Sequence, residues 1–265
     1  MTPYDLSGVE VPAAVRAVAG DRPLKPVWEN ELGGLTFQVG AGVQCDFVKW
    51  TPVTSGIDLC REVVRLQWAA AYRPVPQVRD FGGDAAGSWV RTAGLPGESA
   101  VSARWKADPA RAVVAIGQGL RAFHDALPVG SCPFSWSATD RLADIELRAA
   151  AGRIDPARWD ADHQHLTLRR ALEQLAEPPC VDLMVVCQGD ACAPNTLVAD
   201  DGSCVGHVDL GDLGTADRWA DLAVATWSTV WNYGPGWETP LLDAYGVGVD
   251  ADRIRYYRLL WQLGP

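Results

Sequence analysis

The stretch from Gln188 to Gly214 narrows what this 265-residue chain can be more than any other. Asp190 is followed at i+5 by Asn195, and then by a short apolar run, Thr196-Leu197-Val198. Asp200-Asp201-Gly202 comes next, and a second run, Val205-Gly206-His207-Val208, leads into Asp209-Leu210-Gly211. Two β-prone runs around Asp-Asp-Gly predict a hairpin. A hairpin returns its ends to one place, so Asn195 and Asp209 are expected side by side. An acid, an amide at i+5 and a carboxylate after the next strand follow the order of a phosphoryl-transfer loop. Two oxygen ligands suit Mg²⁺, which takes few protein ligands and fills its shell with phosphate oxygens. Asp and Asn are also common turn residues, so the pattern needs support from the rest of the chain.

Net charge is −10, which argues against nucleic acid or an anionic membrane as partner, since both need a basic face. Hydrophobic residues make up 48%, enough at this length for one large domain or two lobes. No basic-then-apolar start reads as a signal peptide, and no long apolar run reads as a membrane span. The seven cysteines are odd in number and form no C-x-x-C pair, which predicts reduced thiols in a cytoplasm. His124, His163, His165 and His207 have no metal-ligand spacing with Cys, so no zinc site is expected. A monomer is the default.

Along the chain, residues 12–18 read as a short helix and the pattern turns β from Val27. Gly33-Gly34 lies between β-prone segments. Phe47-Val48-Lys49-Trp50 reads as a strand containing one lysine. A buried lysine needs an anion or a carboxylate; the alternative is an edge-strand lysine facing water. Residues 55–71 form a helical pattern with Leu59, Val63, Leu66 and Ala70 on one stripe. Glu62 lies beside that stripe, either as a partner for Lys49 or as a surface partner of Arg61 or Arg65. Residues 75–82 and 87–92 read as strands.

A boundary is placed after residue 93, giving a nucleotide-binding lobe over 1–93 and a catalytic and substrate-binding lobe over 94–265. The linking backbone near Thr92 and Gly94 is the candidate adenine-binding edge, because lobe junctions are common ligand sites. Beyond it the chain is mainly helical. Asp108-Pro109 opens a helix with Ala112, Ile116, Leu120 and Phe123 on its buried face. Residues 139–151, 166–176, 240–245 and 251–263 are further predicted helices, and 181–187 a strand. A helix is also expected from Thr215 to about Trp231. The acidic segment holding Asp160 and Asp162 is expected to be exposed.

The chain resembles the aminoglycoside phosphotransferase family, nearest its 3′-phosphotransferase type. The resemblance rests on Gly189-Asp190-Ala191-Cys192, Pro194-Asn195, Val208-Asp209-Leu210-Gly211, Gly214-Thr215-Ala216-Asp217-Arg218 and Asp221-Leu222-Ala223. Leu120-Arg121-Ala122-Phe123-His124 and Tyr257-Arg258-Leu259-Leu260 extend it. It implies an α+β, two-lobed, protein-kinase-like fold with a small β-rich N-lobe and a larger, mainly helical C-lobe. It also implies Mg²⁺-dependent direct transfer of the terminal phosphate of ATP or GTP to an aminoglycoside hydroxyl, an antibiotic-resistance activity. The alternative acceptor is another small hydroxylated molecule.

Carried over by motif, Asp190 is the expected catalytic base, and Asn195 and Asp209 the expected Mg²⁺ ligands. Lys49 is expected at the nucleotide phosphates, paired with Glu62, with Gly33 and Gly34 in the loop above. Asp221 is expected to steady the catalytic loop. The chain departs from the family pattern in three places. Gln188 replaces the usual His, and Gln can also donate and accept. Asp212 stands where the family often has Arg. The tail Trp261-Gln262-Leu263-Gly264-Pro265 has no carboxylate side chain. Asp160, Asp162 and Asp212 are the acids that could take over substrate binding; the alternative for Asp160 and Asp162 is solvated surface charge.

Overall fold

The computed structural model describes residues 8–42 and 45–264. The start of the chain and Pro265 of the tail lie outside them. The first part is built on β1 (Leu24–Glu29), β2 (Leu35–Val39), β3 (Asp46–Pro52), β4 (Val78–Gly83) and β5 (Gly87–Ala93). These pair antiparallel in the order β1-β2-β3-β5-β4. Along β2, Leu35, Phe37 and Val39 are buried and the residues between them are not, the two-residue period of a strand with one packed face. Helix α1 (Ala13–Ala19) brings Val15 and Ala19 into the same cluster as Phe37, Val39 and Val48.

Helix α2 (Leu59–Ala69) starts later than the pattern predicts. Val53–Ser55 is a short turn ended by Gly56 at φ 71°, and Asp58 caps the helix by accepting from the Cys60 N–H at 2.9 Å. Ala69, not Ala70, completes its buried stripe, because the helix ends at Ala69 and Ala70 faces solvent.

After residues 94–97 come β6 (Glu98–Ser99), α3 (Ala103–Lys106) and α4 (Pro109–Ala126). Asp108 caps α4 and Pro109 fills its first turn. Ala112, Ile116, Leu120 and Phe123 face inward on α4. Next are α5 (Ala138–Ala150), α6 (Leu168–Leu175), β7 (Met184–Cys187), β8 (Thr196–Val198), β9 (Cys204–His207) and β10 (Gly214–Asp217). Helices α7 (Trp219–Tyr233), α8 (Glu238–Tyr245) and α9 (Ala251–Gln262) follow. The helix expected from Thr215 is a correction: residues 214–217 pair antiparallel with β7, Thr215 facing Val186. Asp217 then accepts from the Trp219 N–H at 3.1 Å, which fixes the turn into α7. Strands β6, β8 and β9 form a separate three-stranded sheet.

One hydrophobic cluster joins the two parts. Leu66, Ala69 and Val75 pack with Phe123, Leu127, Val186, Leu210 and Leu213. Among the described residues no helix is long and apolar enough to cross a membrane.

Candidate active site

The hairpin β8–β9 pairs Thr196 with His207, and the Val208 N–H donates to the Asn195 carbonyl at 2.9 Å. Asn195 and Asp209 therefore leave the same end of the hairpin. Asn195 Nδ2 donates to the Asp190 carbonyl at 2.9 Å and to Asp190 Oδ2 at 3.0 Å. Asp190 Oδ1 is buried and has no hydrogen-bond partner among the described residues. Asp209 is the one non-glycine residue among them with positive φ, 59°. That conformation costs energy and persists where its surroundings fix it. Here Gln188 fixes it: Nε2 donates to the Val208 and Asp209 carbonyls at 2.9 and 3.0 Å, and Oε1 accepts from the Asp190 N–H at 2.7 Å. One fully buried amide thus braces both loops, a task that needs a donor and an acceptor on one side chain.

Beneath lies Asp221, with no exposed surface, near the start of α7. It accepts from the Gln188 N–H at 2.6 Å, the Gly189 N–H at 3.0 Å and His124 Nε2 at 2.9 Å. His124 Nδ1 meets the Tyr245 hydroxyl at 2.9 Å. His124, Cys187 and Asp221 bring potential metal ligands within 4.8 Å of one another. Both imidazole nitrogens are engaged, however, the Cys187 thiol donates to the Asp217 carbonyl at 3.4 Å, and burial pushes that thiol well above its usual range, so these groups already have protein partners.

Strand β3 lies inside the sheet, so Lys49 is not on an edge. Its Nζ donates to Glu62 Oε1 at 2.8 Å, Glu62 Oε2 at 2.9 Å and Asp209 Oδ1 at 2.8 Å. Burial disfavours the Lys49 ammonium, but the Asp209 and Glu62 carboxylates outweigh it and hold its pKa above the ordinary lysine value. Burial raises the Glu62 pKa while the Lys49 charge opposes the rise. The arginines beside Glu62 turn elsewhere. Arg65 Nε donates to the Leu213 carbonyl at 2.8 Å, and Arg61 pairs with Asp212 at 3.3 Å. Asp212 lies against Gly189, where a Cβ would come within 2.3 Å of the Asp212 carbonyl oxygen and where φ is 96°. Burial, then the Asp209 charge, pushes the Asp190 carboxyl up to about 6, and Asp212 adds to the rise.

The donor set fits a hard divalent cation. The amide nitrogen of Asn195 is engaged by Asp190, which leaves its oxygen for a ligand, and the Asp209 side chain is 49% exposed. Gly33 and Gly34 lie in the turn between β1 and β2. Asn30 Oδ1 accepts the N–H groups of Leu32 at 3.0 Å and Gly34 at 2.7 Å, and the Asn30 carbonyl accepts the Gly33 N–H at 3.1 Å. The turn is thus closed on itself. Thr92 is paired within the sheet and the Gly94 N–H donates to the Cys45 carbonyl at 2.9 Å. Beside this linker a cavity of about 560 Å³ is lined by Tyr72, Arg73, Val75, Gln77, Gly94 and Leu95, away from Asp190 and Lys49.

The acidic segment is anchored rather than wholly exposed. Trp159 is 4% exposed, and the Asp160 N–H donates to Gln262 Oε1 at 2.7 Å; Asp162 faces solvent. Arg158 pairs with Glu31 in the β1–β2 turn, which ties this segment to the N-terminal sheet. Sequence reasoning missed Asn30, although an Asn ahead of Leu32-Gly33-Gly34 is an Asx-turn signal. It also missed the Arg61–Asp212 and Glu31–Arg158 pairs, for which no local pattern exists.

A family model described as the phosphotransferase enzyme family matches residues 53–257. The chain is 32% identical over 255 residues to an aminoglycoside 3′-phosphotransferase of Streptomyces fradiae, covering 88% of this chain and 91% of that one. It is 30% identical over 251 residues to a streptomycin 3″-kinase of Streptomyces griseus, covering 87% and 88%. A crystal structure of a type VIII aminoglycoside 3′-phosphotransferase superposes with a TM-score of 0.79 at 27% identity, covering 94% and 96%. A Streptomyces rimosus aminoglycoside phosphotransferase of the 3″ type, solved with ADP and streptomycin, superposes with a TM-score of 0.75 at 27% identity, covering 94% and 95%.

Proposed function

The chain belongs to the aminoglycoside phosphotransferase family, and we propose that it transfers the terminal phosphate of ATP or GTP directly to a hydroxyl of an aminoglycoside. The observation that carries this reading is the convergence of Asp190, Asn195, Asp209, Gln188 and Lys49. A buried, unpartnered carboxylate oxygen of Asp190 lies beside Asn195, and Asp209 is bonded to both the Gln188 brace and Lys49.

Asp190 Oδ1 is the acceptor for the substrate hydroxyl proton. The hydroxyl oxygen forms its bond to the terminal phosphorus as the bond to the leaving diphosphate oxygen breaks. The proton passes to Asp190 and then to solvent, so no phosphoryl-enzyme forms. A carboxyl poised near 6 is largely ionised at neutral pH yet basic enough to share a proton. Lys49, held by Glu62, would turn to the phosphate oxygens the N–H that Asp209 accepts here. Mg²⁺, when bound by Asn195 and Asp209, would neutralise developing charge on the phosphates. Gln188 and Asp221 fix the loop so that little reorganisation is needed during transfer.

The nucleotide-binding lobe is assigned to residues 1–93 and the catalytic and substrate-binding lobe to 94–265, with Asp160, Asp162 and Asp212 as the acids for the acceptor. Free cysteines support a reducing cytoplasm, and the enzyme is expected to act as a monomer, which sedimentation would check. The functional test is nucleotide turnover with Mg²⁺ against a panel of neomycin-, kanamycin- and streptomycin-type acceptors, with Asp190→Asn as control. Acceptor-dependent turnover that the variant lacks supports the reading. Turnover with none of the panel by an enzyme that binds nucleotide refutes the acceptor class.

A further inference from the structure

We propose that the cavity beside the linker is a binding site for a small aromatic carboxylate, held through Arg73 and apart from the catalytic groups. The cavity measures about 560 Å³, inside the range of small-molecule sites, roughly 300–1,000 Å³. Ala70 to Val75, which follow the end of α2, form one part of its lining. Gln77 and the linker residues Ala93, Gly94 and Leu95 form another. Neither Asp190 nor Lys49 lines it.

The charge of the cavity runs against that of the chain. Net charge is −10, yet no acidic residue lines it, and half-buried Arg73 does. An arginine just past a helix end can turn back to the last carbonyls or meet a carboxylate. Arg73 does neither. Its backbone N–H donates to the Ala69 carbonyl at 3.1 Å, but its guanidinium makes no hydrogen bond or ion pair among the described residues. The side-chain amide of Gln77 is likewise without a hydrogen-bond partner among them. The cavity thus offers a fork of open N–H donors and one amide. A guanidinium fork matches a carboxylate through two parallel bonds.

The remaining lining selects the body of the ligand. Tyr72 packs its ring on Trp68, with centroids 5.0 Å apart, and is still 40% exposed. Pro74, Val75 and Leu95 add apolar surface, so a flat apolar group has walls to meet. Those walls are fixed before any ligand arrives. The Ala93 N–H donates to the Gln77 carbonyl at 2.8 Å, and Val75 belongs to the cluster shared by both halves of the molecule. Gly206 of β9 packs on both walls: a Cβ there would lie 2.8 Å from the Pro74 carbonyl oxygen and 3.2 Å from Leu95 Cδ1. A preformed site lowers the ordering cost of binding. No second basic residue lines the cavity among the described residues, so one negative charge is matched and a phosphate dianion is not.

The test is equilibrium dialysis of the whole protein against 2-naphthoate. Wild type is expected to bind it with Kd below about 1 mM. Arg73→Ala should weaken binding about tenfold or more, and Arg73→Lys, which keeps the charge but loses the fork, should fall between the two. The uncharged 2-naphthamide should bind wild type about tenfold more weakly than the carboxylate. Ala71→Trp, at an exposed position of the lining, should fill the cavity and block binding. Saturating ADP with Mg²⁺ should leave 2-naphthoate bound. Absence of binding at about 1 mM, equal affinity in wild type and Arg73→Ala, or displacement by ADP would each overturn the site. Arg73 has no side-chain partner to lose, so Arg73→Ala is expected to keep the wild-type Tm, and it decides the matter if Ala71→Trp does not fold. Binding is read without turnover, so its failure and the failure of the phosphotransferase reading are separate results.

Discussion

The two sides of the cleft are built from different interactions. On the side proposed for the nucleotide, Lys49, Glu62, Asp209, Gln188 and Asp221 form short hydrogen bonds at 2.6–3.0 Å, and Glu62, Gln188 and Asp221 are buried. On the side proposed for the acceptor, three indole rings pack together, and the loop fastened to α9 carries a half-buried Asp160 and an exposed Asp162. The phosphate end of the reaction is the same for every acceptor, so fixed charge serves it, and a braced network keeps that charge in place before substrate arrives. The acceptor end must distinguish one sugar from another. Contact surfaces do this through shape, and they tolerate change without upsetting the charged network.

The sharpest way to break this comparison is Asp190→Asn. It should lower kcat by about a hundredfold to ten-thousandfold while nucleotide KM stays near wild type, read in the turnover assay. A variant that remains fully active would remove Asp190 from the chemistry. Next in size is Gln188→Ala, which leaves two carbonyls and the Asp190 N–H without partners. Denaturant unfolding should register a loss of about 1–3 kcal/mol, together with reduced kcat. Gln188→His, which can still donate, should keep more of both. If Gln188→Ala matches wild type, the nucleotide side is not held in place by this brace.

A smaller effect concerns pH. As the proposed base, Asp190 must be ionised, so kcat/KM should rise as pH rises through about 6, the value to which burial and Asp209 push it. Asp212→Asn removes a negative neighbour and should move that acid limb to lower pH. An upward shift would contradict the electrostatic account. The smallest effect is expected from Arg158→Ala. The Glu31–Arg158 pair is exposed, so stability should not change measurably, and acceptor KM should rise about two- to threefold. A large change in nucleotide KM instead would show that the pair serves the other side of the cleft.

Much of the nucleotide side was legible because its residues lie close in sequence or on periodic elements. Asp190 to Asn195, the hairpin and Asp209 follow from local turn chemistry, and the α2 stripe follows from helical spacing. A helix is expected from Thr215 because Thr215-Ala216-Asp217 runs directly into α7, and only pairing with β7, with Thr215 opposite Val186, makes residues 214–217 a strand instead. The Asx closure of the glycine turn was readable at Asn30 and passed over. The acceptor side was far less legible. Trp231 and Trp261 lie on different helices, and Arg158 meets Glu31 across 127 residues, so no window of sequence contains either contact. Nothing local separates a buried Trp227 from a half-buried Trp231.

The hydrophobic cluster shared by α2, α4 and the segments around Val186 and Leu213 belongs to neither half alone. Heating should therefore melt the protein in one transition rather than two, because unfolding either half exposes Leu66 or Leu213 to water. A chain cut in the linker should yield fragments that associate or aggregate, since each would carry one uncovered wall of that cluster. Domain exchange with relatives would face the same demand: a transplanted N-terminal half must bring an α2 face whose volume matches Phe123, Leu127 and Leu210.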